Sequence, residues 1–321
     1  MKVLVFGKDG QLGKAFKALF DEISPSLIHQ PDIQYIGRAE CDLSNPMAVN
    51  ASLNNLRPDL IINASAYTAV DKAESEIELA YAVNAKAPEI MAAFAVKNNC
   101  TFLHYSTDYV FDGEKYGFYL EADVRNPLGV YGKSKAAGEE AITKAFAGSS
   151  GGRYAIFRTS WVYGDGSNFV RTILRLAKER EELKIVADQY GVPTGAEWLA
   201  KLSIHLAVNK QGGLKIFPSG IYHAVPAGET TWHGLATVAV NAALESEVML
   251  KAGPSAIKAI PAIEFPLPAP RPMNSRMSTD KLQSILANST SYNDSIENPG
   301  FPHWEEMVRD YIRKLAASKL I

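Results

Sequence analysis

Near its start the chain reads Val3-Leu4-Val5-Phe6-Gly7-Lys8-Asp9-Gly10-Gln11-Leu12-Gly13, a short apolar run followed by a glycine at every third position. A continuous apolar run that stops at a glycine is typical of a β-strand covered on both faces. From Gln11 to Phe20 the apolar residues recur at helical spacing. The stretch therefore predicts a strand, a glycine-rich turn and a helix, in that order.

A glycine-rich turn between a strand and a helix lets backbone N–H groups approach a diphosphate at the helix N-terminus. We therefore predict a dinucleotide-binding loop lined by Gly7, Gly10, Gln11 and Leu12. The alternative is a tight turn that binds nothing.

The same alternation continues along the first half of the chain. Strand-like runs are predicted at Ile33–Ile36, Asp59–Asn63, Thr101–Tyr105 and Tyr154–Arg158, and helices at Ile77–Lys97 and Lys133–Ala147. Strands that alternate with helices predict an α/β fold, a doubly wound parallel sheet of the Rossmann type.

After Trp161 the pattern changes. A long amphipathic helix is predicted at Asn168–Glu182 and a late sheet strand at Ile221–Val225, and the region beyond Pro226 is more helical and interrupted by prolines. We expect residues 1–163 to form an NAD(P)-binding Rossmann domain, with strands near 183–225 returning to its sheet. Residues 164–182 and 226–321 are expected to form a smaller, substrate-binding domain.

Composition excludes several function classes. The 321 residues contain 33 Lys and Arg against 35 Asp and Glu, a net charge of −2, which gives no basic patch for nucleic acid or a membrane surface. Two cysteines, Cys41 and Cys100, exclude a disulfide scaffold, and six histidines without ligand spacing predict no metal site. The sequence has no run of 18 apolar residues, so no membrane span is predicted. The short apolar run Val3–Phe6 does not suit a signal segment. We expect a cytoplasmic chain.

Three further segments are predicted to line the cofactor. The second strand ends at Ile36-Gly37-Arg38 with no acid before Glu40, and an arginine at this place indicates NADP(H), with NADH left open. The alternative is a solvated surface arginine. Asp42 and Leu43 are expected beside the adenine, and the small residues Ala64, Ser65 and Ala66 leave room for a ribose.

The predicted catalytic residues are Thr107, Tyr131 and Lys135. Tyr131 and Lys135 lie four residues apart and share one face of a helix, and Thr107 follows the strand Thr101–Tyr105. A free tyrosine has a pKa near 10, and a neighbouring ammonium group favours its phenolate. With a hydride donor, Tyr131 could supply a proton and Thr107 could polarise a carbonyl oxygen.

In this order the motifs resemble the extended short-chain dehydrogenases/reductases and, within them, the dTDP-4-dehydrorhamnose reductase family. The resemblance spans nearly the whole chain. It is carried by Gly7-Lys8-Asp9-Gly10-Gln11-Leu12-Gly13, Asn63-Ala64-Ser65-Ala66-Tyr67-Thr68-Ala69-Val70-Asp71-Lys72-Ala73-Glu74, Tyr105-Ser106-Thr107-Asp108-Tyr109-Val110-Phe111, Tyr131-Gly132-Lys133-Ser134-Lys135-Ala136-Ala137-Gly138-Glu139, Phe157-Arg158-Thr159-Ser160-Trp161-Val162-Tyr163, Asp188-Gln189-Tyr190-Gly191-Val192-Pro193-Thr194 and Arg271-Pro272-Met273-Asn274-Ser275-Arg276. The last three are the most specific to this family.

The resemblance implies an NAD(P)H-dependent reduction of dTDP-4-dehydro-β-L-rhamnose to dTDP-L-rhamnose, the last step in making this sugar donor for cell-surface polysaccharide. Tyr131 would protonate the developing alkoxide, Lys135 would tune Tyr131 and hold the nicotinamide ribose, and Thr107 would orient the keto oxygen. The implied cofactor residues are Gly10, Gln11, Leu12, Asp42, Leu43, Ala64, Ser65, Ala66, Tyr105 and Lys135. The implied dTDP-sugar contacts are Thr107, Asp108 and Trp161.

Several further residues are candidates for binding the substrate, and each also has a purely structural explanation. Asn168 and Arg271 are candidates for holding the substrate diphosphate, but Asn168 also suits a helix N-cap and Arg271 a surface ion pair. Trp161 could pack on a sugar ring or in a core. Related reductases use an asparagine, matched here by Asn84, to support the lysine, whereas His104, within a strand, is interpreted as structural.

Metal binding and dimerisation stay open at this point. Some family members bind Mg²⁺ through glutamates at a homodimer interface. Glu197 matches one of these glutamates, but Ala15 stands where another is carried.

Two rival functions share the motifs. One is another sugar-nucleotide reductase or an epimerase of this fold; a dehydratase is disfavoured because Asp108 is followed by Tyr109 and not by a second acid. The other is a non-catalytic, NADP-binding regulatory subunit similar to that of methionine adenosyltransferase.

Overall fold

A computed structural model describes residues 1–288 and 296–321 of the chain. Its strands are β1 Lys2–Phe6, β2 Asp32–Ile36, β3 Leu60–Asn63, β4 Thr101–Thr107, β5 Arg153–Thr159, β6 Val162–Tyr163, β7 Leu183–Val186, β8 Tyr190–Gly191, β9 Thr194–Gly195, β10 Gly220–His223, β11 Thr230–Thr231 and β12 Ile257–Ile260. Its α-helices are α1 Gln11–Ile23, α2 Pro46–Leu56, α3 Val70–Ala73, α4 Ile77–Tyr81, α5 Ala87–Lys97, α6 Val130–Phe146, α7 Phe169–Glu179, α8 Ala196–Ala207, α9 Trp232–Glu245, α10 Asp280–Asn288 and α11 Trp304–Ala317.

Six strands form one parallel sheet in the order β10-β5-β4-β3-β1-β2. Alternate residues of β1 point to opposite faces, as strand geometry requires. Val3 and Val5 pack in one apolar cluster with α1 and α8, whereas Leu4 and Phe6 pack in another with α2, α5 and α6. Both faces are therefore covered by helices, which confirms the predicted α/β doubly wound fold.

The strands predicted in the first half of the chain all occur, within two residues at each end. The predicted helix Ile77–Lys97 is instead divided into α4, a π-helical turn at Ala82–Lys86, and α5. Pro88 lies at the start of α5, and a proline has no N–H and clashes with the carbonyl four residues before it. The wider turn accommodates that proline without ending the helix.

The late strands differ in part from the prediction. Gly220–His223 joins the large sheet beside β5, but Leu183–Val186 does not return to it. β7 pairs with β12 in a separate two-stranded parallel sheet, and helices α7 and α9 cover that pair with apolar residues such as Ile173 and Val240. The expectation that strands near 183–225 return to the large sheet is therefore wrong for β7.

Helix α10 also lies elsewhere than expected. Its Leu282 and Leu286 belong to the apolar cluster of the large sheet, together with Tyr222 of β10. The segment therefore packs on the Rossmann core, although we assigned residues 226–321 to the smaller domain. Within the described residues, no helix is long and apolar enough to cross a membrane.

Candidate active site

A cavity of about 790 Å³ opens at the carboxyl ends of β1 to β5, where the strand order reverses between β1 and β3. This edge is where ligands bind in open α/β sheets, because the connecting loops diverge there. The cavity is lined by most of the predicted site residues: Gly7, Gly10, Gln11, Leu12, Arg38, Asp42, Leu43, Ala64, Ser65, Ala66, Tyr105, Thr107, Asp108, Tyr131, Lys135 and Trp161.

The glycine loop has the close packing that a backbone cradle requires. Gly7 has φ +88°, and a Cβ there would lie 2.6 Å from Oγ of Ser65. A Cβ at Gly13 would lie 2.0 Å from the carbonyl oxygen of Gly7. Gly10 is the N-cap of α1 and makes no side-chain cap, so no capping side chain occupies the first N–H groups of the helix.

At the end of β2, Arg38 is exposed and lines the cavity. The nearby acid, Glu40, is engaged elsewhere, since its carboxylate accepts from Nζ of Lys8 and from the N–H of Gly37. Among the described residues no ion pair involves Arg38. A cation is thus available, and the acid is neutralised, at the position that discriminates NADP from NAD. Beside them, the N–H and hydroxyl of Ser44 hold the pKa of Asp42 below its ordinary value.

Two buried hydroxyls in the cavity wall have no hydrogen-bond partner in the described part of the chain, Oγ of Ser106 and Oγ1 of Thr159. Buried polar groups are nearly always paired in proteins. These hydroxyls, with the glycine cradle, make the wall suited to a ligand rich in hydrogen-bonding groups, such as a dinucleotide.

The predicted proton donor and its neighbours meet at the end of β4. The hydroxyl of Thr107 donates to Oδ1 of Asp108 at 2.9 Å, and Ser275 donates to the other carboxylate oxygen. Burial raises the pKa of Asp108 to about 6. Burial likewise raises the pKa of Tyr131 to about 12, and a hydrogen bond to Thr107 opposes that rise. Tyr131 is therefore protonated at neutral pH, as a proton donor must be.

Lys135 is almost completely buried, with 2% of its surface exposed. Its Nζ donates to the carbonyl oxygen of Tyr105 at 2.6 Å and lies 3.4 Å from Nε2 of His104. Burial lowers the pKa of Lys135 to about 8, against an opposing attraction to Glu139. The residue expected to support this lysine, Asn84, instead bonds the backbone of Tyr67 and the hydroxyl of Ser134.

Trp161 projects into the cavity from a left-handed backbone conformation, φ +48°, which is unusual for a bulky residue. Its indole stacks on Trp232 with ring centroids 3.7 Å apart. Gly191 also lies close to the indole, since a Cβ there would approach the ring to 2.6 Å. The indole is therefore closely packed where it lines the cavity.

Three predicted residues, Tyr105, Asn168 and Arg271, have hydrogen-bond partners within the chain. Tyr105 lines the cavity, and its hydroxyl donates to Ser203 of α8 on the face of the sheet that α1 and α8 cover. Asn168 does not line the cavity. Its Oδ1 caps α7 by accepting from the N–H of Arg171.

Arg271 also lies outside the cavity lining, since its guanidinium pairs with Asp71 at 2.9 Å. For Asn168 and Arg271 the simpler explanations, a helix cap and an ion pair, describe the structure. Each side chain has a partner within the chain, and its role as a diphosphate ligand stays a prediction.

The comparisons with known proteins agree with this geometry. The family model described as the RmlD substrate binding domain matches residues 1–314. The chain is 42% identical over 294 residues to the dTDP-4-dehydrorhamnose reductase of Escherichia coli strain K12, covering 89% of this chain and 92% of that one. The chain belongs to the dTDP-4-dehydrorhamnose reductase family.

Solved structures of this family share the fold. The dTDP-4-dehydrorhamnose reductase of Clostridium acetobutylicum superimposes with a TM-score of 0.82 at 30% identity, covering 98% of this chain and 99% of that one. That of Bacillus anthracis, solved in complex with NADP, gives 0.80 at 31% identity with the same coverage. The family resemblance read from the motifs is confirmed.

Some cavity residues were not predicted from the sequence. Trp232 and the loop Asp165–Ser167 line it from the side of the smaller unit. Trp232 follows two threonines at the start of α9, a position that carries no periodic signal, and its stacking partner lies 71 residues earlier in the chain. A tryptophan pair of this kind is visible only once the chain is folded.

Proposed function

We propose that this chain reduces the C4 keto group of dTDP-4-dehydro-β-L-rhamnose to give dTDP-L-rhamnose, with NADPH as the reductant. The observation that carries the proposal is that Thr107, Tyr131 and Lys135 line the same cavity as the glycine loop. The named relatives, similar over about nine-tenths of the chain, support the substrate.

NADP(H) fits the cavity wall. The N-terminus of α1 and the glycine loop would hold the diphosphate, Arg38 the 2′-phosphate, and Asp42 and Ala64–Ala66 the adenosine side. The NADP complex of the Bacillus anthracis relative supports this choice. When bound, the cofactor supplies the hydride.

The residues of this chain supply the rest of the chemistry. Tyr131 starts protonated and donates its proton to the keto oxygen as charge develops there. Thr107 orients that oxygen by turning its single O–H from Asp108 to the substrate, since a keto oxygen can only accept. Lys135 is held beside the site by the carbonyl oxygen of Tyr105, and its ammonium form favours the phenolate that remains on Tyr131 after transfer.

We assign substrate binding to the stacked indoles of Trp161 and Trp232 and to the smaller unit that carries Trp232. Aromatic walls pack well on the apolar face of a sugar ring and exclude water. We assign residues 164–182 and 226–321, apart from α10, to this role.

The direct test is the loss of NADPH absorbance with dTDP-4-dehydro-L-rhamnose generated by upstream enzymes. The proposal expects rapid oxidation with dTDP-L-rhamnose as the product. Binding of NADPH without oxidation would point to a regulatory protein, and conversion without net oxidation to an epimerase; either result would overturn the proposal.

The choice of NADPH over NADH is expected to depend on Arg38. In Arg38→Ala the KM for NADPH should rise by about tenfold or more, because a charged hydrogen bond to phosphate is lost, while the KM for NADH changes little. Steady-state kinetics with both cofactors measure this. Arg180→Ala, an exposed arginine at the end of α7, serves as the control. Equal effects of Arg38→Ala on both KM values contradict the assignment.

The residues matched to the family's Mg²⁺ site do not fit a metal. The carboxylate of Glu197 accepts from Nζ of Lys314 at 2.6 Å, and Ala15 is buried and offers no ligand. We therefore propose no metal-bridged dimer. Activity should be the same in EDTA as in Mg²⁺, since the lysine already neutralises the carboxylate. A loss of activity in EDTA that Mg²⁺ restores would show this to be wrong.

A further inference from the structure

One buried titratable group beside the site has no part in the mechanism above. His104 is 1% exposed and lies on β4, next to Asn63 in the register of β3 and β4. Its Nδ1 lies 3.1 Å from Nδ2 of Asn63, and its Nε2 lies 3.4 Å from Nζ of Lys135. Over residues 1–288 and 296–321, these are the hydrogen-bond contacts of the ring.

The backbone N–H of Ser65, at one end of these hydrogen bonds, fixes which group donates in each of them. The backbone N–H of Ser65 can only donate, and it points to Oδ1 of Asn63 at 3.2 Å. The amide nitrogen of Asn63 must therefore face His104 and donate to Nδ1. An imidazole that accepts at Nδ1 carries its proton on Nε2.

This tautomer has a consequence for Lys135. The Nε2–H group of His104 points at Nζ, and an ammonium group has three donors and no acceptor. A neutral amine has a lone pair that can accept this N–H, while it still donates to the carbonyl oxygen of Tyr105 at 2.6 Å. The series of hydrogen bonds from Ser65 through Asn63, His104 and Lys135 to Tyr105 is thus complete only when Lys135 is a neutral amine.

The other groups around Lys135 influence the equilibrium between its ammonium and amine forms. Glu139 on the same helix favours the ammonium form, but its carboxylate is already paired with Arg158 and Arg125. Tyr131 on the same helix is neutral, and its pKa is raised. Burial pulls the pKa of Lys135 down to about 8, and the pKa of His104 lies well below its ordinary value because of burial and of Lys135. A neutral imidazole therefore faces a lysine that is close to titrating.

We propose that His104 is a positioning residue, oriented by Asn63 and Ser65, whose Nε2–H group disfavours the ammonium form of Lys135. The role rests on the proposed function, because Lys135 matters through Tyr131. It also connects the lysine to Ser65, which lines the cofactor cavity. The catalytic lysine is thereby kept near the pH at which its two forms interconvert.

The first test reads the tautomer directly. In the protein labelled with ¹⁵N-histidine, two-bond ¹H–¹⁵N spectra distinguish Nδ1–H from Nε2–H rings, and His104→Gln assigns the signal. The chain holds its own references: Nδ1 of His205 faces the carbonyl of Ile296 at 2.7 Å, and Nε2 of His233 faces that of Ile257 at 3.0 Å. His104 should match His233 and stay neutral between pH 6 and pH 9. A match to His205, or an imidazolium in this range, overturns the proposal.

The second test reverses the direction of hydrogen-bond donation through His104. In Asn63→Asp, one carboxylate oxygen keeps the Ser65 contact and the other accepts from the imidazole, so the proton moves to Nδ1 and Nε2 becomes an acceptor for the ammonium group. The His104 signal should then match His205, and the alkaline limb of kcat should move up by about one pH unit. His205→Gln, a buried histidine outside the cavity, should leave that limb in place. An unchanged tautomer in Asn63→Asp contradicts the proposal.

The tautomer measurement uses the chain without cofactor or substrate. A chain that showed the Nε2–H tautomer but did not oxidise NADPH would refute the proposed function alone. A chain that oxidised NADPH with an Nδ1–H tautomer would refute this inference alone.

Discussion

Tyr131→Phe should lower kcat by about two to four orders of magnitude, the usual contribution of general acid–base catalysis. The variant removes one hydroxyl from a half-buried ring that still packs on Tyr109, with centroids 5.5 Å apart. The cavity and its glycine loop are unchanged, so NADPH should bind with nearly its normal affinity. Steady-state kinetics and a fluorescence titration of NADPH measure the two quantities separately.

Tyr109→Phe is the matched control, because Tyr109 lines the same cavity and its pKa is raised by burial. This variant should lose far less of kcat than Tyr131→Phe. A near-normal kcat in Tyr131→Phe would remove Tyr131 from the proton-donor role.

Arg158→Met should lower the free energy of unfolding by about 3–5 kcal/mol, the typical cost of leaving one charge of a buried pair alone. Arg158 and Glu139 are 1% and 0% exposed, and two hydrogen bonds of 2.9 and 2.7 Å join them. Without the arginine, the partner that the carboxylate keeps among the described residues is Arg125, at 3.4 Å. Urea unfolding, with the m value compared between variants, measures the loss.

The double variant Arg158→Met/Glu139→Gln is the control for this prediction. It removes both charges and should regain a large part of the lost stability, since the cost comes from the uncompensated carboxylate. A loss below about 1 kcal/mol in the single variant, the level of an exposed pair, would contradict the account.

Local patterns in the sequence predict the sheet and the heart of the site. The strand Lys2–Phe6, the glycine loop and helix α1 follow from residues that are neighbours in the chain. Tyr131 and Lys135 reach one cavity because they share a helix face, and Thr107 reaches it because it ends a neighbouring strand. These features depend on short-range periodicity, which a sequence displays directly.

The features that the sequence does not show depend on distant partners. β7 pairs with β12 rather than with the large sheet, and nothing in its four residues specifies which strand it joins. Arg271 pairs with Asp71, 200 residues away, so its availability for a ligand could not be judged. His104 looked structural because the sequence does not show that its ring bridges Asn63 and Lys135.

The measurement that tests the central claim most directly follows a label from the cofactor to the sugar. NADPH deuterated at C4 of the nicotinamide is incubated with the chain and dTDP-4-dehydro-L-rhamnose, and the product is examined by NMR and mass spectrometry. The account predicts dTDP-L-rhamnose carrying one deuterium at C4 of the sugar from one of the two labelled faces, in amounts equal to the NADPH consumed. Product without deuterium from either face, or no product, would contradict it.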